Sequence, residues 1–163
     1  MAFGFTDWDG ADGTIKPGSI KRASSSNDKV WGEGNLTEVA LPYGTFVAVN
    51  PAGGVKVLAA GDRIHGIVVR DIYGDAAPAN KQVNVGHFSH GDCVGALAVS
   101  GSVFTRGAPA YIVATGANAG KVTTVAAGNI DLGYWVEDVS AANDCVAITL
   151  GYVQQAAPEA AGE

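Results

Sequence analysis

Apolar and polar positions alternate in short bursts along most of this chain, and each burst is cut by turn chemistry before it lasts long enough for a helix. Nine segments read as strands: Thr45–Val49, Val55–Leu58, Ile64–Val69, Gln82–Val85, Val94–Val99, Ala110–Ala114, Lys121–Val125, Leu132–Val136 and Cys145–Leu150. Turn signals stand between them at Asn50-Pro51-Ala52-Gly53-Gly54, Ala60-Gly61-Asp62, Ser100-Gly101 and Ala127-Gly128-Asn129. Within Val55–Leu58 the period of two puts Val55 and Val57 on one face and Lys56 and Leu58 on the other. Only Ser19–Trp31 and Tyr134–Leu150 exceed twelve residues without Gly or Pro. The first is long enough for a short helix, but its serine-rich centre argues against one. The second reads as strand, turn over Ser140–Asp144, and strand. The pattern predicts an all-β fold, a small β-barrel or sandwich of about nine short strands.

The pattern also repeats. Gly44 precedes a strand, a glycine turn, a second strand and Ala59-Ala60-Gly61-Asp62; Gly107 precedes the same series, ending in Ala126-Ala127-Gly128-Asn129. Gly66, Val69 and Asp71 then match Gly133, Val136 and Asp138, each 67 positions on. Asp92-Cys93-Val94 and Asp144-Cys145-Val146 close the two copies, with an extra excursion near Tyr73–His90 in the first. Two similar halves, neither able to bury its own apolar face, are expected to share one core.

Composition divides the chain into an N-terminal arm over 1–41, a Val/Ala/Gly-rich β domain over 42–153 and a solvated C-terminal tail over 154–163. Twenty-three glycines against one methionine favour tight turns over helices. A formal net charge of −6 with no basic stripe argues against nucleic acid as a partner, because phosphate binding needs clustered Lys or Arg. The same acidic balance suits docking on a partner with basic patches. No apolar run approaches the roughly 18–20 residues that span a bilayer, so no membrane partner is expected. The opening MAFGFTDWDG lacks the basic and continuous apolar regions of a secretion signal, so no signal peptide is expected. Cys93 and Cys145 are too few for a disulfide scaffold and read as small buried hydrophobes.

Candidate chemistry is thin. His87, His90 and Cys93 form H-x2-H-x2-C, three ligands of the kind zinc accepts, with Asp92, His65 or Cys145 as a possible fourth. A strand would not turn all three to one side, and a turn bearing exposed imidazoles is the better account. Asp7, Asp9 and Asp12 miss the calcium-loop spacing: counting from Asp7, Ala11 falls at position 5 and Asp12 where glycine is required. Gly116–Val122 is one residue short of a phosphate loop and carries Val122 in place of Ser or Thr. No Gly-x-Ser-x-Gly elbow is present. The expectation is no enzyme, no cofactor and no metal.

The aromatic residues are more informative. Phe3, Phe5, Trp8 and Trp31 sit in the glycine-rich arm and not in the patterned β region. Large aromatics in a polar segment are suited to docking, since each buries about 150–250 Å2 and such side chains dominate binding hot spots. These four are the candidate partner-binding residues.

The second half, Arg106-Gly107-Ala108-Pro109-Ala110-Tyr111, Gly120-Lys121-Val122-Thr123, Leu132-Gly133-Tyr134 and Val146-Ala147-Ile148-Thr149-Leu150, resembles bacteriophage capsid decoration or cement proteins. The similarity extends more loosely to Leu41-Pro42-Tyr43-Gly44 and Gly53-Gly54-Val55, covering about residues 40–151. Ala110 stands where the family more often has Val, and the arm is longer than a minimal member needs. The resemblance implies a structural protein on the outer surface of the virion, assembled in the host cytoplasm. It would bind the major capsid protein, self-associate as a homo-oligomer and brace the shell against internal pressure. Two other functions are open to the same residues. A carbohydrate-binding module would need two or three aromatics in one exposed plane, for which Tyr73, Tyr111, Tyr134 and Trp135 are the candidates. A small metal enzyme would use His87, His90 and Cys93.

Overall fold

The computed structural model describes residues 15–23, 29–71, 74–140 and 144–151. Among these residues the chain forms thirteen strands and no α-helix. In order they are β1 (Ile20–Arg22), β2 (Val30–Asn35), β3 (Leu41–Pro42), β4 (Phe46–Val49), β5 (Val55–Val57), β6 (Ile64–Val68), β7 (Ala76–Ala77), β8 (Lys81–Gly86), β9 (Cys93–Leu97), β10 (Pro109–Ile112), β11 (Val122–Thr123), β12 (Ile130–Ser140) and β13 (Cys145–Leu150). All nine strands expected from the alternation are present. The fold is all-β.

The first unit is a closed five-stranded barrel in the order β2-β5-β4-β6-β8, sealed by a parallel contact of β2 with β5 at Asn35 and Val55. β3 and β7 form a short separate ribbon. The second unit is a six-stranded sheet in the order β1-β9-β13-β12-β10-β11. Its last strand returns to the end of β9 through a parallel bridge between Ala98 and Val122, and the Val99 N–H donates to Val122 O at 2.9 Å. Apart from β1, the two units therefore share one topology.

Their registers coincide as well. Trp31 pairs with Val85 and Glu33 with Val83; 63 positions later Val94 pairs with Ile148 and Ala96 with Val146. Ala48–Lys56 and Val49–Val55 in β4–β5 become Tyr111–Thr123 and Ile112–Val122 in β10–β11. Asn35–Val55, which seals the barrel, becomes Ala98–Val122. The expected repeat is present, with two corrections. Val47 pairs with Gly66, and its counterpart Ala110 pairs with Tyr134, so the match in β12 falls one residue beyond Gly133. Gly133, at φ +78°, lies immediately before this shifted register. Further, the two Asp-Cys-Val stretches lead into β9 and β13, the first and last strands of the second unit, and so are not equivalent positions.

The arm boundary at residue 41 does not follow the strands. β1 extends the second sheet and β2 is a barrel stave, so 15–23 and 29–41 belong to the β body. The described part of Ser19–Trp31 holds strand and no α-helix. Residues 1–14 and 152–163 lie outside the described set.

Two cores result. Val47, Val55, Val68, Val83 and Val85 fill the barrel together with Leu41, Tyr43 and Ala77. The larger core is the interior of the second unit, joined by Phe46, Ala48, Leu58 and Ile67 from the outer side of the barrel. β4 is thus covered on both faces, which is why Phe46-Val47-Ala48 is apolar without alternation. Each large side chain so buried contributes about 1.5–3 kcal/mol. Backbone bonds join the units: the Leu97 N–H donates to Gly44 O and the Phe46 N–H to Gly120 O, both at 2.8 Å.

Candidate interaction surface

The stretch that leads into the first barrel is fastened by charge. The Arg22 guanidinium forks onto Glu137, with Nη1–Oε1 at 2.9 Å and Nη2–Oε2 at 2.6 Å, and its Nε donates to Gly91 O at 2.8 Å. Thr149 Oγ1 adds a hydrogen bond to Glu137 Oε2 at 2.7 Å. The fork from Arg22 holds the Glu137 carboxyl well below the usual range, at about 2, so it stays ionised. Lys29 pairs with Asp92, which is almost fully buried and also accepts from the Ser89 N–H at 2.9 Å. Lys29 and Asp92 occupy equivalent positions of the two units, 63 residues apart, and join their starts. Upstream, Ile15 packs with Cys93, Cys145 and Ala147 over the second sheet. These are tethers, with every acid matched to a base or a donor.

Trp31 stands on β2. Along the face of that strand that includes Asn35, exposure rises from Asn35, fully buried, through Glu33 to Trp31, 48% exposed. Asn35 Nδ2 donates to Val39 O and Pro78 O, closing the other end. The Trp31 ring lies against His87 at 4.0 Å between centroids, and His87 meets His65 edge-on at 4.7 Å. His65 Nε2 is 3.1 Å from Glu33 Oε1. Burial, and then the neighbouring His65, push the His87 pKa down, favouring the neutral ring against Trp31.

The H-x2-H-x2-C triplet does not converge. His87 belongs to the Trp31 row, whereas Cys93 is wholly buried with Ile15 and Cys145. Burial pushes the Cys93 thiol up to about 11 and the Cys145 thiol to about 12, so both are poor ligands and nucleophiles. Among the described residues no cluster of three His, Cys, Asp or Glu is arranged to hold a metal ion. Of the candidate aromatics, Tyr134 is buried against Phe46, whereas half-buried Tyr111 and Trp135, 38% exposed, lie on the opposite, outer side of the second unit. Tyr73 lies outside the described residues. So do Phe3, Phe5 and Trp8, and with them Asp7, Asp9 and Asp12.

A hollow of about 290 Å3 opens beside the barrel, lined by Val39, Pro42, Phe46, Val57 and Ala119 among others, with Lys121 at its polar side. It is predominantly apolar and gathers no acid–base pair. What the described surface offers is contact area on a stiff support. The sequence pattern missed the two tethers, although the opposite charges of Lys29 and Asp92 at matching repeat positions were a usable signal.

Comparison with known proteins agrees with this picture. The family model described as "XM1 gp53 minor capsid protein" matches residues 5–150. The chain belongs to that family. It is therefore a phage capsid-associated structural protein, which places it with the virion. The minor capsid protein also resembles in fold a chain from a structure described as "The capsid of Myoviridae Phage XM1". The TM-score is 0.63 at 18% identity, over 85% of this chain and 91% of that one. No curated protein matches this minor capsid protein.

Proposed function

We propose that this minor capsid protein is a decoration, or cement, protein that binds the outer surface of the phage head and holds neighbouring major capsid subunits together. The observation that carries the reading is a two-unit β body locked by paired charges and shared core, with its chemistry-bearing side chains dispersed. Membership of a minor capsid protein family supports it. Such a protein acts through area and stiffness, and a lattice of many copies multiplies a modest contact by avidity. Phe3, Phe5, Trp8 and Trp31 supply partner contacts, and copies self-associate on the shell.

The test is mechanical. Shells assembled without the protein are heated with and without added full chain, and DNA release is followed. Decorated shells are expected to release DNA at a higher temperature, and a variant lacking residues 1–14 to protect less. Identical release curves with and without the protein contradict the reading.

A further inference from the structure

Phe46, Ala48, Leu58 and Ile67 lie on the outside of the first barrel, and each is at most 2% exposed because it presses into the core of the second unit. The repeat register assigns each a counterpart. Phe46 and Ile67 correspond to the paired Pro109 and Trp135, and Ala48 to Tyr111. Leu58 corresponds to Val125 when the offset of β5 to β11 is continued. These counterparts are also apolar, but among the described residues nothing covers them to the same degree. Val125 is 55% and Trp135 38% exposed, Pro109 is exposed and Tyr111 is half-buried.

The receiving side shows the same imbalance. Val94 and Ile112 belong to the core that the plug residues complete, and both are wholly buried. Their counterparts are Trp31 and Val49. Directly paired side chains share a face of the sheet, and Trp31 pairs with buried Val85 and Val49 with buried Val55. Both therefore stand on the interior side of their strands, yet each is 48% exposed. A neighbour seated on each side would cover Pro109, Val125 and Trp135 on the one and Trp31 and Val49 on the other.

We propose that a second copy of this chain is that neighbour. The outer face of the second unit in one copy, through Pro109, Tyr111, Val125 and Trp135, docks on the open end of the first barrel of the next, at Trp31 and Val49. The contact repeats between molecules the one each molecule already makes inside itself, so it continues an established interface. Charge is complementary: Glu33 stands two residues from Trp31 on the same face, and Arg106 is exposed on the turn that leads into β10. The association is heterologous, so copies close into a ring when the rotation permits. This inference rests on the self-association proposed above and assigns it two faces.

The test is a mixing experiment on the full chain, followed by sedimentation. Wild-type protein is expected to associate as its concentration rises. Trp135→Glu, with a broken plug, and Trp31→Glu, with a broken receptor, are each expected to associate at least about tenfold more weakly. Mixed in equal amounts they are expected to form a one-to-one complex, since one intact plug meets one intact receptor. Val125→Glu and Val49→Glu repeat the design at other side chains, and circular dichroism checks folding in each. Wild-type protein that stays monomeric at its highest soluble concentration overturns the proposal, as does a mixture of well-folded variants that does not associate. If such a monomer still binds shells, decoration stands and only this inference falls. Association without shell binding does the reverse.

Discussion

Gly44 is a residue at which the two units and the N-terminal stretch meet closely. Its φ is +76°, and a Cβ there would stand 2.8 Å from Leu97 N and 2.9 Å from both Gly18 N and Gly95 O. Gly101 has a similar φ of +79° but open space around it. Gly101→Ala is therefore expected to cost about 1 kcal/mol from backbone conformation alone. Gly44→Ala should cost clearly more, about 3 kcal/mol, because backbone at the interface must shift. Urea unfolding of the two variants checks the difference; equal losses would refute the close approach. Acid sensitivity is also set by single residues. Glu137 has a depressed pKa, so its contribution is present above its unfolded value of 4.5 and disappears as pH falls through about 2. His87 is depressed too, so its contribution is full above 6.5 and is lost as pH falls through its lower folded value. Arg22→Ala is expected to raise the Glu137 pKa and move acid unfolding to higher pH, and a pH titration of unfolding measures it.

At the level of elements, the Lys29–Asp92 pair fixes the start of β2 to the start of β9. Lys29→Ala leaves an almost fully buried carboxylate without its cation, and such a loss costs about 3–5 kcal/mol. Thermal unfolding is expected to show a single, earlier transition; an unchanged midpoint contradicts the tether. The same elements explain what the sequence disclosed. Alternation between glycine turns located nine strands, because Val55–Leu58 and its kind carry the period of two on their surface. β2 escaped, since Val-Trp-Gly-Glu-Gly-Asn has two glycines and an acid and reads as an arm. In the barrel those glycines leave space that Gln82 and Leu36 occupy. β3 and β7 are too short for any period to register. The repeat was legible from Gly44 and Gly107, but its β2–β9 half was not, because Trp31, Glu33 and Asn35 share no chemistry with Val94, Ala96 and Ala98. The exposed faces were hidden for a different reason. Ile67 and Trp135 are both apolar strand residues, and only tertiary packing decides which of them is covered. A deletion follows from the same placement. Removing residues 1–14 is expected to leave both units folded, whereas removing 1–40 takes away a stave and the β1 edge and should abolish cooperative unfolding.

As a whole molecule, the protein is one five-stranded plan used twice, with the outside of the first copy completing the core of the second. That arrangement joins the two units through a shared core, and it leaves apolar side chains exposed on the outer face of the second unit and at the open end of the first barrel. A body of this kind suits the decoration role proposed for this member of a minor capsid protein family, which would call for rigid area at many equivalent positions. In the proposed role the protein works by occupying such positions on the shell. Co-sedimentation of purified full chain with shells assembled without it, titrated to saturation, measures this most directly. Saturable binding at a fixed number of copies per shell, set by the symmetry of the lattice, is the expected result. Chain that stays in the supernatant, or that binds without a plateau, would contradict it.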